Sequence, residues 1–217
     1  MSLHTYSVND LLNSTERTQA LYKLAAGASV IVGTIASIFA WITTYWGASI
    51  ALTAPAAVVV YLFMVRRVEL DLWKNNLVRI VLGISLPNIN GRWKATVQRR
   101  NRNGQDLQDS NDGEMYIFQT WSTLGVQFET EFTSSHSTGG FLTQGGHHLV
   151  LTIEYQADLR DPYRDNVDIQ AHKGVSKFKI PMKDDGEFDL LKIEVPYYTD
   201  HRETGMIKLE RILVADS

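Results

Sequence analysis

From Leu24 to Val65 the chain runs for 42 residues without an Asp, Glu, Lys, Arg or His. As a single helix, at ~1.5 Å per residue, that stretch would reach ~63 Å. A bilayer core is ~30 Å thick, so the pattern predicts two transmembrane passes. The turn is expected at Thr43–Ser49, where Tyr45 and Trp46 suit the membrane–water interface and Gly47 breaks a helix. This gives helix one as Leu24–Trp46 and helix two as Ser49–Val65. A break at Thr53-Ala54-Pro55 would leave a second helix of about ten residues, too short to span. The apolar segment of a secretion signal runs about 7–15 residues, whereas helix one is longer, is followed directly by a second pass and precedes no cleavage site. Residues 1–23 read as a polar lead. In residues 66–84, Trp73, Leu77, Ile80 and Ile84 fall at helical spacing, which predicts an amphipathic connector or a plain linker helix.

After Pro87 the period changes from helical to alternating. Gly91–Val97, Glu114–Ser122, Gly125–Phe132, His147–Gln156, Val175–Met182, Glu187–Val195 and Met206–Val214 read as strands. In the clearest, Leu149, Leu151, Ile153 and Tyr155 oppose Val150, Thr152, Glu154 and Gln156. Asn103-Gly104, Asn111-Asp112-Gly113, Gly145-Gly146, Asp161-Pro162 and Asp184-Asp185-Gly186 mark turns. Seven or eight strands over residues 85–217, with no long helix, fit a sandwich or an up-and-down barrel. The barrel is preferred because a closed one of this size holds one small ligand. The expected fold is therefore two N-terminal transmembrane helices (residues 24–65) and an all-β domain, an eight-stranded, lipocalin-like antiparallel barrel.

Charge adds an orientation. Arg17 and Lys23 precede the apolar stretch and Arg66 and Arg67 follow it, which predicts cytoplasmic N- and C-termini and a cytosolic β domain. The absence of cysteine fits a reducing compartment. Residues 1–84 carry 6 Lys/Arg and 4 Asp/Glu, and residues 85–217 carry 15 and 20, so the β domain has a net charge of −5. An acidic domain is a poor non-specific binder of DNA or RNA.

No catalytic set stands out. There is no Walker or Rossmann glycine loop and no zinc-protease motif. His147 and His148 are adjacent on a strand and point to opposite faces, which does not favour a shared metal. Asp184-Asp185 reads as turn chemistry, and Ser134-Ser135-His136 lacks an acid partner. The expectation is a non-enzyme with no metal and no cofactor. Two features rise above this background. Ala25, Ser29, Gly33 and Ser37 form a four-residue repeat of small side chains, suited either to packing on helix two or to self-association. Trp93, Gln119, Trp121, Tyr155, Tyr197, Tyr198 and Arg202 supply aromatic and basic groups of the kind that stack on bases and meet phosphates. Trp93 reads instead as a plug at one barrel end, with Arg211 on the last strand as its cover.

The chain also carries, in order, Ile89-Asn90-Gly91-Arg92-Trp93, Ile117-Phe118-Gln119-Thr120-Trp121, Thr133-Ser134-Ser135-His136-Ser137, His172-Lys173-Gly174 and Tyr197-Tyr198-Thr199-Asp200-His201-Arg202-Glu203-Thr204-Gly205. With the anchor, this order resembles the two-transmembrane, β-rich effectors of bacterial CBASS antiphage signalling, of the CD-NTase-associated protein 15 type. The resemblance covers nearly the whole chain. It implies a cyclic-dinucleotide second messenger as ligand, made by a partner nucleotidyltransferase (a CD-NTase). It implies self-association in the bacterial inner membrane, disruption of the lipid bilayer and abortive infection. It also implies a ligand pocket at Trp121, Ser135, Tyr198 and Arg202, to which Tyr155 is added on its inward parity. The alternative expectation is a membrane-tethered, calycin-like carrier of a small apolar ligand.

Overall fold

The structure, a computed structural model, describes residues 4–5, 7–8, 14–44, 53–100, 106–145, 147–163, 171–183 and 188–212. The chain forms two compact units, Asn13–Leu86 and Pro87–Ser217, the second also taking in Met1–Leu12.

The helical unit contains α1 (Ser14–Thr44), α2 (Thr53–Leu70), a 3₁₀ turn at Leu72–Lys74 and α3 (Asn76–Leu82). Ala20, Leu24, Ala28 and Val32 recur every fourth residue of α1 and are buried, chiefly where α1 meets α2. Gly27 lies on the same side, where a Cβ would sit 3.6 Å from Met64 Cε. Residues Glu16–Ile38 of α1 are long and apolar enough to cross a membrane, and only 17% of that apolar stretch is buried. A core helix of a soluble domain hides its apolar side chains, whereas Val30, Ile31, Ile35, Ile38 and Trp41 are exposed here.

Of the second expected pass, Ser49–Val65, the described part starts at Thr53. That part is helical from Thr53 through Val65 and continues in α2 to Leu70. Its 13 described residues Thr53–Val65, ahead of Arg66 and Arg67, cover ~20 Å. Among the described residues, α1 alone meets the length and composition of a membrane span. Thr43 and Thr44 belong to α1, and the rest of the expected turn, through Ser49, lies outside the described residues.

Residues 66–84 do not form one amphipathic helix. Trp73 and Ile84 are buried while Leu77 and Ile80 are exposed, because the 3₁₀ turn breaks the helical phase between them. The Asn75 side chain caps α3 by accepting from the Leu77 and Val78 N–H groups at 2.9 and 3.4 Å. Gly83, left-handed at φ 76°, ends it. Lys23 Nζ donates to the Val81 carbonyl at 2.9 Å and Ser85 Oγ to Glu16 at 3.0 Å, tying both ends of this unit together.

The β unit is a closed antiparallel barrel of eight strands: β1 (Gly91–Arg100), β2 (Asp106–Gln119), β3 (Thr123–Glu129), β4 (Thr133–Gly145), β5 (His148–Leu159), β6 (His172–Pro181), β7 (Lys192–Thr199) and β8 (Thr204–Arg211). Each strand pairs with its neighbours in sequence, and β8 returns to β1, in register from Arg211↔Trp93 to Thr204↔Arg100. The β3–β4 seam closes directly only at Gln127↔His136, Phe128↔Ser135 and Glu129↔Ser134. Beyond it, His4–Thr5 pairs with β3 and Ser7–Val8 with β4. Alternate residues face a dry interior, including Trp93, Ala95, Ile117, Leu149, Leu151, Phe178, Ile180, Ile193, Val195 and Leu209.

Three strand boundaries differ from those the pattern predicts, each for a local reason. Asn111-Asp112-Gly113 is not a turn but lies inside β2, where a Cβ on Gly113 would come within 2.7 Å of the Phe128 ring. The glycine admits a neighbour instead of reversing the chain. β4 was hidden by its Ser/Thr/Gly content, and the turns flanking β3 are Thr-x-x-Thr hairpins. Thr120 N donates to the Thr123 carbonyl at 2.9 Å and the two hydroxyls meet at 2.7 Å; Thr130 and Thr133 repeat this at 2.9 and 2.9 Å. β7 runs through Pro196, which has no N–H to offer. Its pairing with β8 is continuous, while the β6–β7 ladder skips from Ser176↔Tyr197 to Lys179↔Glu194.

The fully buried Trp93 anchors this interior, so Trp93→Ala should cost ~3–5 kcal/mol of unfolding free energy. Arg211→Ala, which removes the ring cover and one hydrogen bond, should cost ~1–2 kcal/mol. Denaturant unfolding of the full chain in detergent, followed by circular dichroism, measures both; unchanged midpoints would remove Trp93 from the core.

Candidate functional site

The two ends of the barrel differ in chemistry. One end is sealed where the chain enters β1. Trp93 Nε1 donates to the Ile89 carbonyl at 3.1 Å, and the Arg211 guanidinium lies over the Trp93 ring, 5.5 Å from its centre. Arg211 also donates to the Asn90 carbonyl at 2.8 Å. The buried Gln119 side chain completes the seal, accepting from Ile89 N–H at 2.9 Å and donating to the Pro87 carbonyl at 3.0 Å. The expected pairing of Trp93 with Arg211 is therefore present.

At the other end the inward positions turn polar. They include Ser135 and Ser137 on β4, Tyr155 on β5, His172 and Ser176 on β6, Tyr197 on β7 and Arg99 on β1, which continues the inward series Trp93, Ala95, Val97. Ser135, Ser137, Ser176 and Tyr197 are buried. Two glycines make room for the rings. A Cβ on Gly174 would collide with the Tyr155 hydroxyl, and one on Gly205 would lie 2.5 Å from the Tyr197 ring and hydroxyl. Each tyrosine thus lies across the glycine of the neighbouring strand, which holds the ring without side-chain competition. Tyr155 meets His172 edge-on at 6.1 Å between centres, and His172 meets His201 at 6.2 Å. This aromatic series joins the barrel interior to the β7–β8 turn.

That turn is tightly built. Thr199 N donates to the Glu203 carbonyl and Arg202 N to the Thr199 carbonyl, both at 3.0 Å. Arg202 occupies the left-handed region at φ 64°, a conformation costing an ordinary residue ~1–2 kcal/mol. Glu203 also pairs with Arg99 at 2.9 Å, which sets a cation and an anion at the rim of the mouth. Burial raises the phenol pKa of both Tyr155 and Tyr197. For Tyr155 coupling to Tyr197 and the carboxylates of Asp200 and Glu203 adds to the rise, and for Tyr197 Arg99 opposes it.

The structure brings together some of the residues expected to bind ligand and separates others. Ser135, Tyr155 and Arg202 are all at the mouth. Tyr198 is at the same end but 52% exposed on the outer face, since adjacent strand residues point oppositely; Tyr197 is the inward member of the pair. Trp121 is buried in the Thr120–Thr123 hairpin at the sealed end. Arg99, Ser137, His172 and Ser176 went unassigned in the sequence, although the parity counted from Trp93 reaches Arg99. No group of three or more His, Cys, Asp or Glu suited to a metal occurs among the described residues. Of the α1 repeat, Ala25 is half-buried and Ser29, Gly33 and Ser37 are exposed. The hydroxyls of Ser29 and Ser37 donate to the Ala25 and Gly33 carbonyls, at 2.9 and 2.8 Å.

A closed eight-stranded barrel, plugged at one end and polar at the other, defines a small-ligand-binding barrel. Residues 84–211, more than half of the chain, match the family described as Cap15, cyclic dinucleotide receptor domain. The chain belongs to that family, whose members are receptors in CBASS antiphage defence. Among solved structures it is similar to a redesigned β-barrel at 14% identity and a TM-score of 0.36, over 58% of this chain and 92% of that one. No curated protein matches.

The raised tyrosines give the barrel a pH signature. An unfolded tyrosine ionises near 10.0, while buried Tyr155 keeps its proton above that value. The contribution is fully present below pH 10 and is lost as pH rises beyond it, because the unfolded state then binds fewer protons. Unfolding midpoints should fall above about pH 10, and Tyr155→Phe should flatten that fall. Denaturation series between about pH 8 and 11 measure it; identical slopes in both proteins would place Tyr155 in solvent.

Proposed function

We propose that the chain is a membrane effector of CBASS antiphage defence that binds a cyclic dinucleotide at the polar mouth of its barrel. The observation that carries this reading is the mouth itself, in a chain belonging to the Cap15 receptor family. A cyclic dinucleotide presents two phosphates and two base faces. Arg99 and Arg202 supply cations at the rim, Ser135 and Ser137 supply hydroxyls, and Tyr155, Tyr197 and His172 supply rings. Stacking contributes ~1–3 kcal/mol per base, and a hydrogen bond to a charged group ~1.5–3 kcal/mol. The messenger comes from a partner nucleotidyltransferase, and the receptor performs no catalysis.

In this reading α1 crosses the bacterial inner membrane, α2 returns the chain, and Arg66 and Arg67 hold the exit on the cytoplasmic side with both termini. Ligand binding drives self-association, and assembled helices disrupt the bilayer. The packing of α1 supports this division of labour. Its buried stripe is Ala20, Leu24, Ala28 and Val32, one residue out of phase with Ala25, Ser29, Gly33 and Ser37. The small-residue face therefore stays available for other copies of the helix.

Arg202→Gly separates the role of the side chain from that of the turn. Glycine relieves the left-handed backbone at φ 64°, so thermal stability should not fall, while affinity for the bound cyclic dinucleotide should drop about tenfold or more, ~1.4 kcal/mol. A panel of cyclic dinucleotides, titrated into full-length protein in detergent, measures this. No binding by a folded wild-type protein would sink the reading, and unchanged affinity in the variant would remove Arg202 from the site. Gly33→Leu should leave that affinity intact and abolish assembly and toxicity, because a Cβ there meets nothing within 4 Å of its own chain. A fully toxic Gly33→Leu strain would return α1 to a passive tether.

A further inference from the structure

The β3–β4 seam is the least complete join in the barrel. It has three residue pairs, against eight between β8 and β1. Where direct pairing stops, β4 bulges between Ser137 and Gly139, and Ser137 Oγ accepts the Val126 N–H at 2.9 Å in place of a strand carbonyl. Past that point the seam is occupied from within the chain. His4 and Thr5 pair antiparallel with Leu124 and Thr123, and Ser7 and Val8 pair parallel with Phe141 and Leu142. Two residues on each side is a small hold compared with any other join, and residues 9–13 connect this segment directly to α1.

We propose that the seam is a strand-acceptor site, filled by the chain's own N-terminal segment at rest and by the same segment of a second copy on assembly. Resting on the reading above, this gives the self-association its β-sheet contact. Strand edges left without partners template pairing with another chain. A second copy brings a segment of identical sequence, able to repeat the Thr5↔Thr123 and Ser7↔Phe141 registers. Such a contact is head-to-tail, segment of one copy into seam of the next, so it propagates through an assembly instead of stopping at a dimer. The segment and α1 are consecutive in sequence, so copies gathered along their helices raise the local concentration of segments around each seam. The mouth hydroxyls Ser135 and Ser137 lie on β4 beside the seam, Ser135 within its paired stretch, which places ligand contacts and the exchange site on one strand.

The chain has no cysteine, so introduced thiols are unique. Full-length protein carrying only Thr5→Cys is mixed with full-length protein carrying only Thr123→Cys, one of them mass-tagged, in detergent. A disulfide between the two differently tagged chains forms only if a segment enters another copy's seam. The double variant Thr5→Cys/Thr123→Cys should form a within-chain disulfide when dilute and ligand-free. Assembly is induced in parallel by a cyclic dinucleotide panel and by protein concentration alone, and monitored by sedimentation. The mixed disulfide should rise at least tenfold in assembled samples over dilute ones. Assembled particles with only within-chain links overturn the exchange, as do the absence of any disulfide in the folded double variant and a monomer at every concentration. If concentration drives exchange but no cyclic dinucleotide does, the seam stands and the ligand reading fails.

Discussion

An eight-stranded barrel encloses one interior, and what fills it at one end decides what can happen at the other. Trp93 does the filling here. Its ring is wholly buried, its N–H is satisfied by the Ile89 carbonyl, and Arg211 lies across its outer face. Because β8 pairs with β1 in register, Arg211 stands directly beside Trp93, and the first and last strands are joined by the same contact that seals the end. Gln119 then satisfies backbone groups at Ile89 and Pro87 that the seal would otherwise strand in a dry interior.

At that mouth the interior changes from close-packed aliphatic side chains to hydroxyls, rings and charges. Serines and glycines are small, so the same strands carry less side-chain bulk here than at the sealed end. Tyr155 and Tyr197 are held across Gly174 and Gly205, not inserted between bulky neighbours. A ring held against a glycine backbone on one side and buried on the other has little rotamer freedom left. The Arg99–Glu203 pair stands at the rim with both side chains partly exposed, where screening by water keeps its contribution small.

Much of this was legible in the sequence, and the parts that were not share causes. The uncharged run marked α1, the two-residue alternation marked the strands, and Trp93 with Arg211 could be paired from their places on the first and last strands. β4 escaped because its interior side is serine and glycine, which give no hydrophobic alternation; that same composition makes the mouth polar. β7 was cut at Pro196, since proline is normally foreign to a paired strand, yet here only the β6 side goes without its hydrogen bond. Tyr198 belongs to the expected pocket through the resemblance alone, whereas strand alternation turns Tyr197 inward and Tyr198 outward. Trp121 belongs to the expected pocket through the resemblance; pairing of β2 with β3 carries it to the far end.

The class of ligand can be argued from what the mouth would cost to cover. A small apolar molecule seated there would strip water from the hydroxyls of Ser135, Ser176, Tyr155 and Tyr197 and return no hydrogen bonds, at ~1–3 kcal/mol for each group left unsatisfied. The aliphatic half of the interior, where such a ligand would be at home, is already filled to the Trp93 plug by Leu149, Leu151, Phe178, Ile180, Ile193 and Val195. A flat, hydrogen-bonding anion reverses both terms, since it needs rings to stack on, hydroxyls to donate and a cation at the rim. The same surface that would penalise an apolar cargo therefore favours a nucleotide, in keeping with the cyclic dinucleotide receptor family to which the chain belongs.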